Sequence, residues 1–248
     1  MTNLLSGIKT ADNVEEVQDV LASNKFAKAE SGIYDATIKY AYLKPASTGS
    51  IGLHLEFELD NGILMKETLY VTNAKGENFY VDKKDAKKKH LLGGYVTADS
   101  LALLGVQKEL SELKSEERII KLRDYDLQKD VPTPVNMLVE LVDKPVRIGV
   151  IKIIQDKTKK SDKTDSNGKA VYVSTGETMV KNETDKVFHL TNNMTVAELR
   201  AGATEAAFIE SWKEKWEGKT YDKSTTSGGS SAKSGGASKP AATKSLFN

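Results

Sequence analysis

The sequence predicts a mainly β (α+β) fold with peripheral helices, and three observations carry that prediction. Between Gly32 and Thr72 the apolar residues recur with period two, the mark of half-buried strands. Asp60-Asn61-Gly62 interrupts that run with a strong hairpin signal. A β-branched run, Val146 to Gln155, reads as a further buried strand, while helical periodicity is confined to short flanking stretches.

The elements follow in order. Residues 13–28 carry Val14, Val17, Val20 and Leu21 on one stripe, with Asn13 as N-cap, and predict a short amphipathic helix. The first strand spans Gly32 to Tyr42, and strict alternation places Tyr34, Ala36, Ile38, Tyr40 and Tyr42 on one face. A turn from Lys44 to Ser50 precedes the second strand, where Leu53, Leu55, Phe57 and Leu59 alternate with polar residues. After Asp60-Asn61-Gly62, which suits positive φ at both central turn positions, the third strand runs from Ile63 to Thr72. Three antiparallel strands in succession make a meander.

Past a loop at 73–78, Phe79 to Asp82 leads into a basic run from Lys83 to His90, closed by Gly93-Gly94. Helices are expected over Thr97–Leu104 and Ser111–Ile120, and Pro132 and Pro134 close an extended linker. The strand at 146–155 is followed by a long polar loop, 156–169, with five lysines against three aspartates. Tyr172-Val173 and Thr178 to Leu190 return as strands. Thr195, with Glu198 in capping-box register, opens a helix running through Phe208, Ile209, Trp212 and Trp216 to a stop at Gly218. From Ser224 the chain is Ser, Gly, Ala, Thr and Lys, too poor in apolar area to offset its backbone entropy, so disorder is expected there. Three regions result: an N-terminal arm (1–30), a β-rich domain with helical insertions (31–217), and a flexible tail (218–248) with an apolar tip, Leu246-Phe247.

Composition narrows the chemistry. The absence of cysteine excludes disulfides, thiolate metal sites and cysteine nucleophiles. No window is long and apolar enough to span a bilayer, and the N-terminus lacks a signal-peptide pattern, so a soluble cytoplasmic protein with no membrane partner is expected. The 36 Lys and Arg nearly balance the 35 Asp and Glu. Five of those lysines and one aspartate lie from Gly218 onward, which leaves 31 basic against 34 acidic residues before it. Any anion-binding surface must therefore come from local clustering rather than bulk charge.

Catalytic patterns are missing. His54, His90 and His189 are scattered, no phosphate-binding P-loop occurs, and no nucleophile elbow is present. The acidic pairs read as solvated faces, so neither an enzyme nor a metal or other cofactor is expected. Single-stranded nucleic acid needs only exposed rings for the bases and cations for the phosphates. Such residues gather in three places: Tyr40, Tyr42 and Lys44; Tyr70 with Tyr80, Lys83, Lys84, Lys87, Lys88 and Lys89; and Arg147, Lys152, Lys159, Lys160 and Tyr172 around the polar loop. At least one of Tyr34, Tyr40 and Tyr42 belongs to the core, because Ile38 shares their face. Homo-oligomerisation is open on this evidence.

Three stretches also resemble single-stranded-DNA-binding proteins of tailed bacteriophages. They are Ser31 to Tyr42, Asn78 to Lys83 with the lysines and Leu91-Leu92-Gly93-Gly94-Tyr95 that follow, and Pro145 to Lys152. The resemblance covers about residues 30–220. It implies an OB-like antiparallel five-stranded barrel without metal or nucleotide cofactor. It also implies protection of DNA during phage replication, recombination or repair, and docking to replication or recombination proteins. One departure is the tail, which is cationic here where many such proteins end in acid. If the tail docks a partner, Leu246 and Phe247 should matter more than charge. The rival readings are a recruitment scaffold without DNA binding of its own, and a metal-dependent nuclease.

Overall fold

The computed structural model describes residues 27–124, 127–164 and 170–225. The helix expected over 13–28, save its last two residues, lies outside the described residues, as do most of the tail and the tip Leu246-Phe247.

The meander is present as β1 (Gly32–Pro45), β2 (Ile51–Leu59) and β3 (Leu64–Tyr70), paired antiparallel in sequence order. Its hairpin uses one positive φ rather than two: Gly62 alone lies at +79°, and Leu59 N–H donates to Ile63 O across the turn. A small two-stranded ribbon follows, β4 (Phe79–Val81) against β5 (Lys89–Leu91), and leads straight into α1 (Gly93–Val106). That helix buries Ala98, Leu101 and Ala102 on the core, as the expected helix at 97–104 requires.

The segment 111–120 departs from expectation. Only a single 3-10 turn forms, at Leu110–Glu112, and the chain then extends as β6 (Glu116–Asp124) against β7 (Lys129–Met137). Glu- and Lys-rich composition favours helix, but cross-strand pairing with β7 outweighs that local preference. Pro132 and Pro134, expected in a linker, sit inside β7, opposite Lys121 and Ile119. Prolines are tolerated there because that stretch of β7 pairs on one side only.

β8 (Pro145–Thr164) and β9 (Ala170–Phe188) form a long antiparallel ribbon. Residues 156–164 of the expected polar loop are therefore strand, with Lys157, Lys159, Lys160 and Lys163 on this ribbon. The single helix expected from Thr195 is two. Thr195 Oγ1 accepts from Glu198 N–H at 3.2 Å and Glu198 Oε2 accepts from Thr195 N–H at 2.8 Å, the capping box that starts α2 (Val196–Arg200). Gly202, at φ +67°, stops that helix. Glu198 Oε1 then accepts from Phe208 N–H as α3 (Phe208–Trp216) begins. Beyond Gly218, β10 (Thr220–Asp222) pairs parallel with β8 at Lys152–Ile154.

Among the described residues the main sheet has eight strands rather than five, along the path β10-β8-β1-β2-β3, with β9 on β8 and the β6–β7 hairpin on β1. No ladder joins β3 to β9, so the sheet does not close. The main core lies between the meander, α1 and the Val146, Ile148 and Val150 face of β8. On the other face of β8, Ile151 and Ile153 meet Phe188, Ile209 and Trp212 in a second, smaller core. Gly149 permits that packing, because a Cβ there would sit 2.9 Å from the Trp212 ring. No helix among the described residues is long and apolar enough to cross a membrane.

Candidate functional site

The site begins with a bulge. In the β1–β2 ladder Ile38 faces Phe57 but Tyr40 faces Glu56, so Lys39 is an extra residue. One inserted residue reverses which side chains point inward. Ala36 and Ile38 are buried before the bulge, and Ala41 after it. Tyr40 and Tyr42 are thereby turned out of the core and do not share a face with Ala36 and Ile38, contrary to strict alternation.

On the solvent face of the meander the registers align three rows: Tyr40, Glu56 and Lys66; Tyr42, His54 and Thr68; Lys44, Gly52 and Tyr70. Tyr42 and His54 stack with centroids 5.0 Å apart and planes 5° from parallel. The Thr68 hydroxyl and His54 Nδ1 share a hydrogen bond at 3.0 Å. Burial lowers the His54 pKa, and Lys44 lowers it further, so a neutral imidazole is favoured. Burial raises the Tyr42 pKa, with Lys66 pulling it the other way. Tyr40 and Tyr70 stand more open, 42% and 54% exposed. Gly52 leaves the surface between His54 and Tyr70 low, since a Cβ there would meet Thr68 at 2.9 Å.

The β6–β7 hairpin pairs with β1 at Tyr42–Met137 and Leu43–Asn136, with Leu138 N–H donating to Ala41 O just beyond. Ile120, Lys121 and Leu122 nevertheless wall the meander face and enclose, with Tyr40, Tyr42, His54 and Lys66, a groove of about 450 Å³. Neither His54, Lys66 nor this hairpin wall was singled out from sequence. Cross-strand register would have flagged the first two, given that Tyr42 was already a candidate. The hairpin was hidden by its helix-like composition.

The remaining candidates separate into groups. Tyr80 is 52% exposed on the β4–β5 ribbon and leans on His90 at 5.4 Å. Lys83, Lys84, Lys87, Lys88 and Lys89 are exposed around the same ribbon, with Lys89 Nζ 4.2 Å from the Phe79 ring centroid. Asp82 organises their turn, accepting from Lys84 N–H at 2.7 Å. The ribbon is moored beside the end of β3, where Asn73 Nδ2 donates to Phe79 O. On the β8–β9 arm, Lys160 and Tyr172 are cross-strand partners on one face and Lys159 pairs with Val173 on the other. Tyr172 is 64% exposed.

Two candidates are structural. Arg147 makes a bidentate pair with Asp35, at 2.6 and 2.8 Å, and also donates to Leu190 O and Asn193 Oδ1. The hydrogen bond and charge of Arg147 hold the Asp35 carboxyl below its ordinary pKa. A guanidinium so occupied has few donors left for a phosphate. Lys152 donates to Glu30 Oε1 at 2.5 Å. Both cations already have acidic partners in the fold.

Glu67, which sequence gave no reason to notice, bridges the open seam. Its carboxylate accepts from Thr184 N–H at 3.0 and 3.2 Å, linking β3 to β9 without a ladder. Burial pushes its pKa up to about 7, with the Thr184 hydrogen bonds opposing. Among the described residues no group of three or more His, Asp and Glu is placed to hold a metal ion. Neither a protein-family model nor a curated protein matches this chain.

Proposed function

We propose that this chain binds single-stranded DNA with little sequence specificity, holding and protecting it during DNA replication, recombination or repair. The observation that carries the reading is the outward face of the meander. The Lys39 bulge turns Tyr40 and Tyr42 onto it, His54 and Tyr70 join them, and Lys44 lies among them, as does Lys66, which also pairs with Glu56 at 2.9 Å. Rings on a rigid sheet accept the π-face of any base, while neighbouring cations track phosphates, which is how non-specific single-strand binders work. Duplex DNA keeps its bases stacked inside and gains nothing from such rings.

We also read part of the sheet as OB-like, and that reading accords with the proposal. The neighbours β3-β2-β1-β8-β9 come in that spatial order, α1 follows β3 in sequence, and the β3–β9 seam is bridged by Glu67. OB folds are partly open five-stranded barrels that bind oligonucleotides on the face of their second and third strands, flanked by loops. Here β2 and β3 carry His54 and Tyr70, and the β8–β9 arm takes the place of a flanking loop. On this reading β6, β7 and β10 are additions to the barrel. Docking of replication or recombination proteins through the tail, and a phage origin, remain part of the proposal.

The test is fluorescence anisotropy of a labelled oligo(dT) against a duplex of equal length, at several salt concentrations. Tight, salt-sensitive binding to the single strand with weak duplex binding is expected. Equal or absent binding to both would overturn the proposal and leave the recruitment scaffold.

A further inference from the structure

The 450 Å³ groove does not end at β3. Glu67 and Thr68 line both it and a second cavity, of about 860 Å³, so the two spaces adjoin along β3 beside the open seam. Tyr70 lines the second cavity, which passes the start of α1 and reaches Tyr221 and Trp216. The backbone at Gly94 is close enough to β3 that a Cβ there would sit 2.5 Å from Tyr70 O.

At the far end stands a second aromatic station. Trp216 and Tyr221 lie 5.5 Å apart, and Lys223 Nζ is 4.9 Å from the Tyr221 centroid. Tyr221 is 43% exposed yet held on a sheet strand, through its pairing with Ile153. Trp216 packs against the small core beneath it. The acids that border this path are engaged already. Glu183 pairs with Lys181 at 2.5 Å and Lys223 at 3.6 Å, and Asp185 accepts from Trp212 Nε1 at 2.7 Å.

Resting on the single-strand reading above, we propose that the DNA path crosses the β3–β9 seam and continues to Tyr221, which stacks a further base, with Lys223 turning from Glu183, which keeps Lys181, to the adjoining phosphate. The meander face is then one station and Tyr221 a second, so affinity grows with oligonucleotide length until the strand spans both. Packing alone explains Trp216 but not the exposed Tyr221 ring lining a cavity that shares Glu67 and Thr68 with the first groove.

The full chain offers its own reporter. It contains two tryptophans, and Trp212 is 3% exposed with its Nε1 bonded, so a ligand-dependent change in emission reports Trp216. Oligo(dT) of about 4 and about 16 nucleotides, the range of site sizes for one OB domain, are compared by anisotropy and tryptophan emission. The longer oligonucleotide is expected to change the emission, and Trp216→Phe to abolish that change. Tyr221→Ala is expected to weaken the longer one roughly tenfold and leave the shorter one unaltered. If wild-type protein binds both while emission and Tyr221→Ala affinity stay unchanged, the second station is wrong although the single-strand reading stands. If neither oligonucleotide binds, that reading itself fails, and this inference with it.

Discussion

Replacing Glu67 by Gln tests how the open seam is held. The Glu67 carboxyl has a pKa of about 7 in the folded protein against an ordinary 4.5, with burial as the main cause. The folded chain therefore keeps a proton that the unfolded chain releases between those values. Stability from this group is fully present below about pH 4.5 and is lost as pH rises through 7. A difference of 2.5 units at 1.36 kcal/mol each sets a limit of about 3.4 kcal/mol, of which roughly 2–3 kcal/mol falls between pH 5 and pH 8. Glutamine keeps an oxygen for Thr184 N–H and an N–H₂ to offer Thr184 Oγ1, which is buried without another partner among the described residues. His54 acts in the opposite sense. Its lowered pKa removes stability as pH falls below 6.5, so the wild-type slope alone is a blend. Asp35 and Glu140, whose pKa values are lowered, lose their contribution only in more acidic solution. Urea unfolding of both proteins at pH 5 and pH 8 isolates the Glu67 effect as the difference between the two slopes. Wild type should lose roughly 2–3 kcal/mol more than Glu67→Gln over that interval. Parallel pH profiles would refute a buried, proton-holding carboxyl at the seam.

Other consequences can be checked on the same material. Tyr42→Ala and Tyr70→Ala should each weaken oligo(dT) binding by about 1–3 kcal/mol without altering the salt slope, measured by anisotropy titration. Arg147→Met should lower the urea midpoint by breaking the Asp35 pair, while the folded variant binds oligo(dT) like wild type; a large affinity loss would return Arg147 to the binding surface. Gly149→Ala should cost about 1–3 kcal/mol of stability, because its Cβ meets the Trp212 ring at 2.9 Å, and an unchanged melting curve would contradict that packing.

Much of the β framework was legible in the chain. Alternation from Leu53 to Leu59, the Asn61-Gly62 turn and the β-branched run at 146–155 each named a strand that exists. These signals are local: period two and turn chemistry act within a few residues, so they survive any tertiary arrangement. The capping box at Thr195 and Glu198 was equally local and equally present. Its helix ended early because Gly202 takes a positive φ that periodicity does not register. The stretch 111–120 reads as helix from its Glu and Lys, and the prolines at 132 and 134 read as linker, because the cross-strand pairing that makes β6 and β7 has no local signature.

By itself the sequence determined the residue types available for a site, rings and lysines without cysteine or a catalytic motif, and the antiparallel meander that could display them. Tertiary structure decided which of them are displayed. A single extra residue at Lys39 turned Tyr40 and Tyr42 out of the core, and a bulge is visible only against its partner strand. Long-range pairing gave Arg147 and Lys152 acidic partners, Asp35 and Glu30, each more than a hundred positions away. Glu67 became a seam-bridging acid only because β3 and β9 meet without a ladder, a juxtaposition set by the tertiary arrangement of distant strands and not by any neighbouring residue.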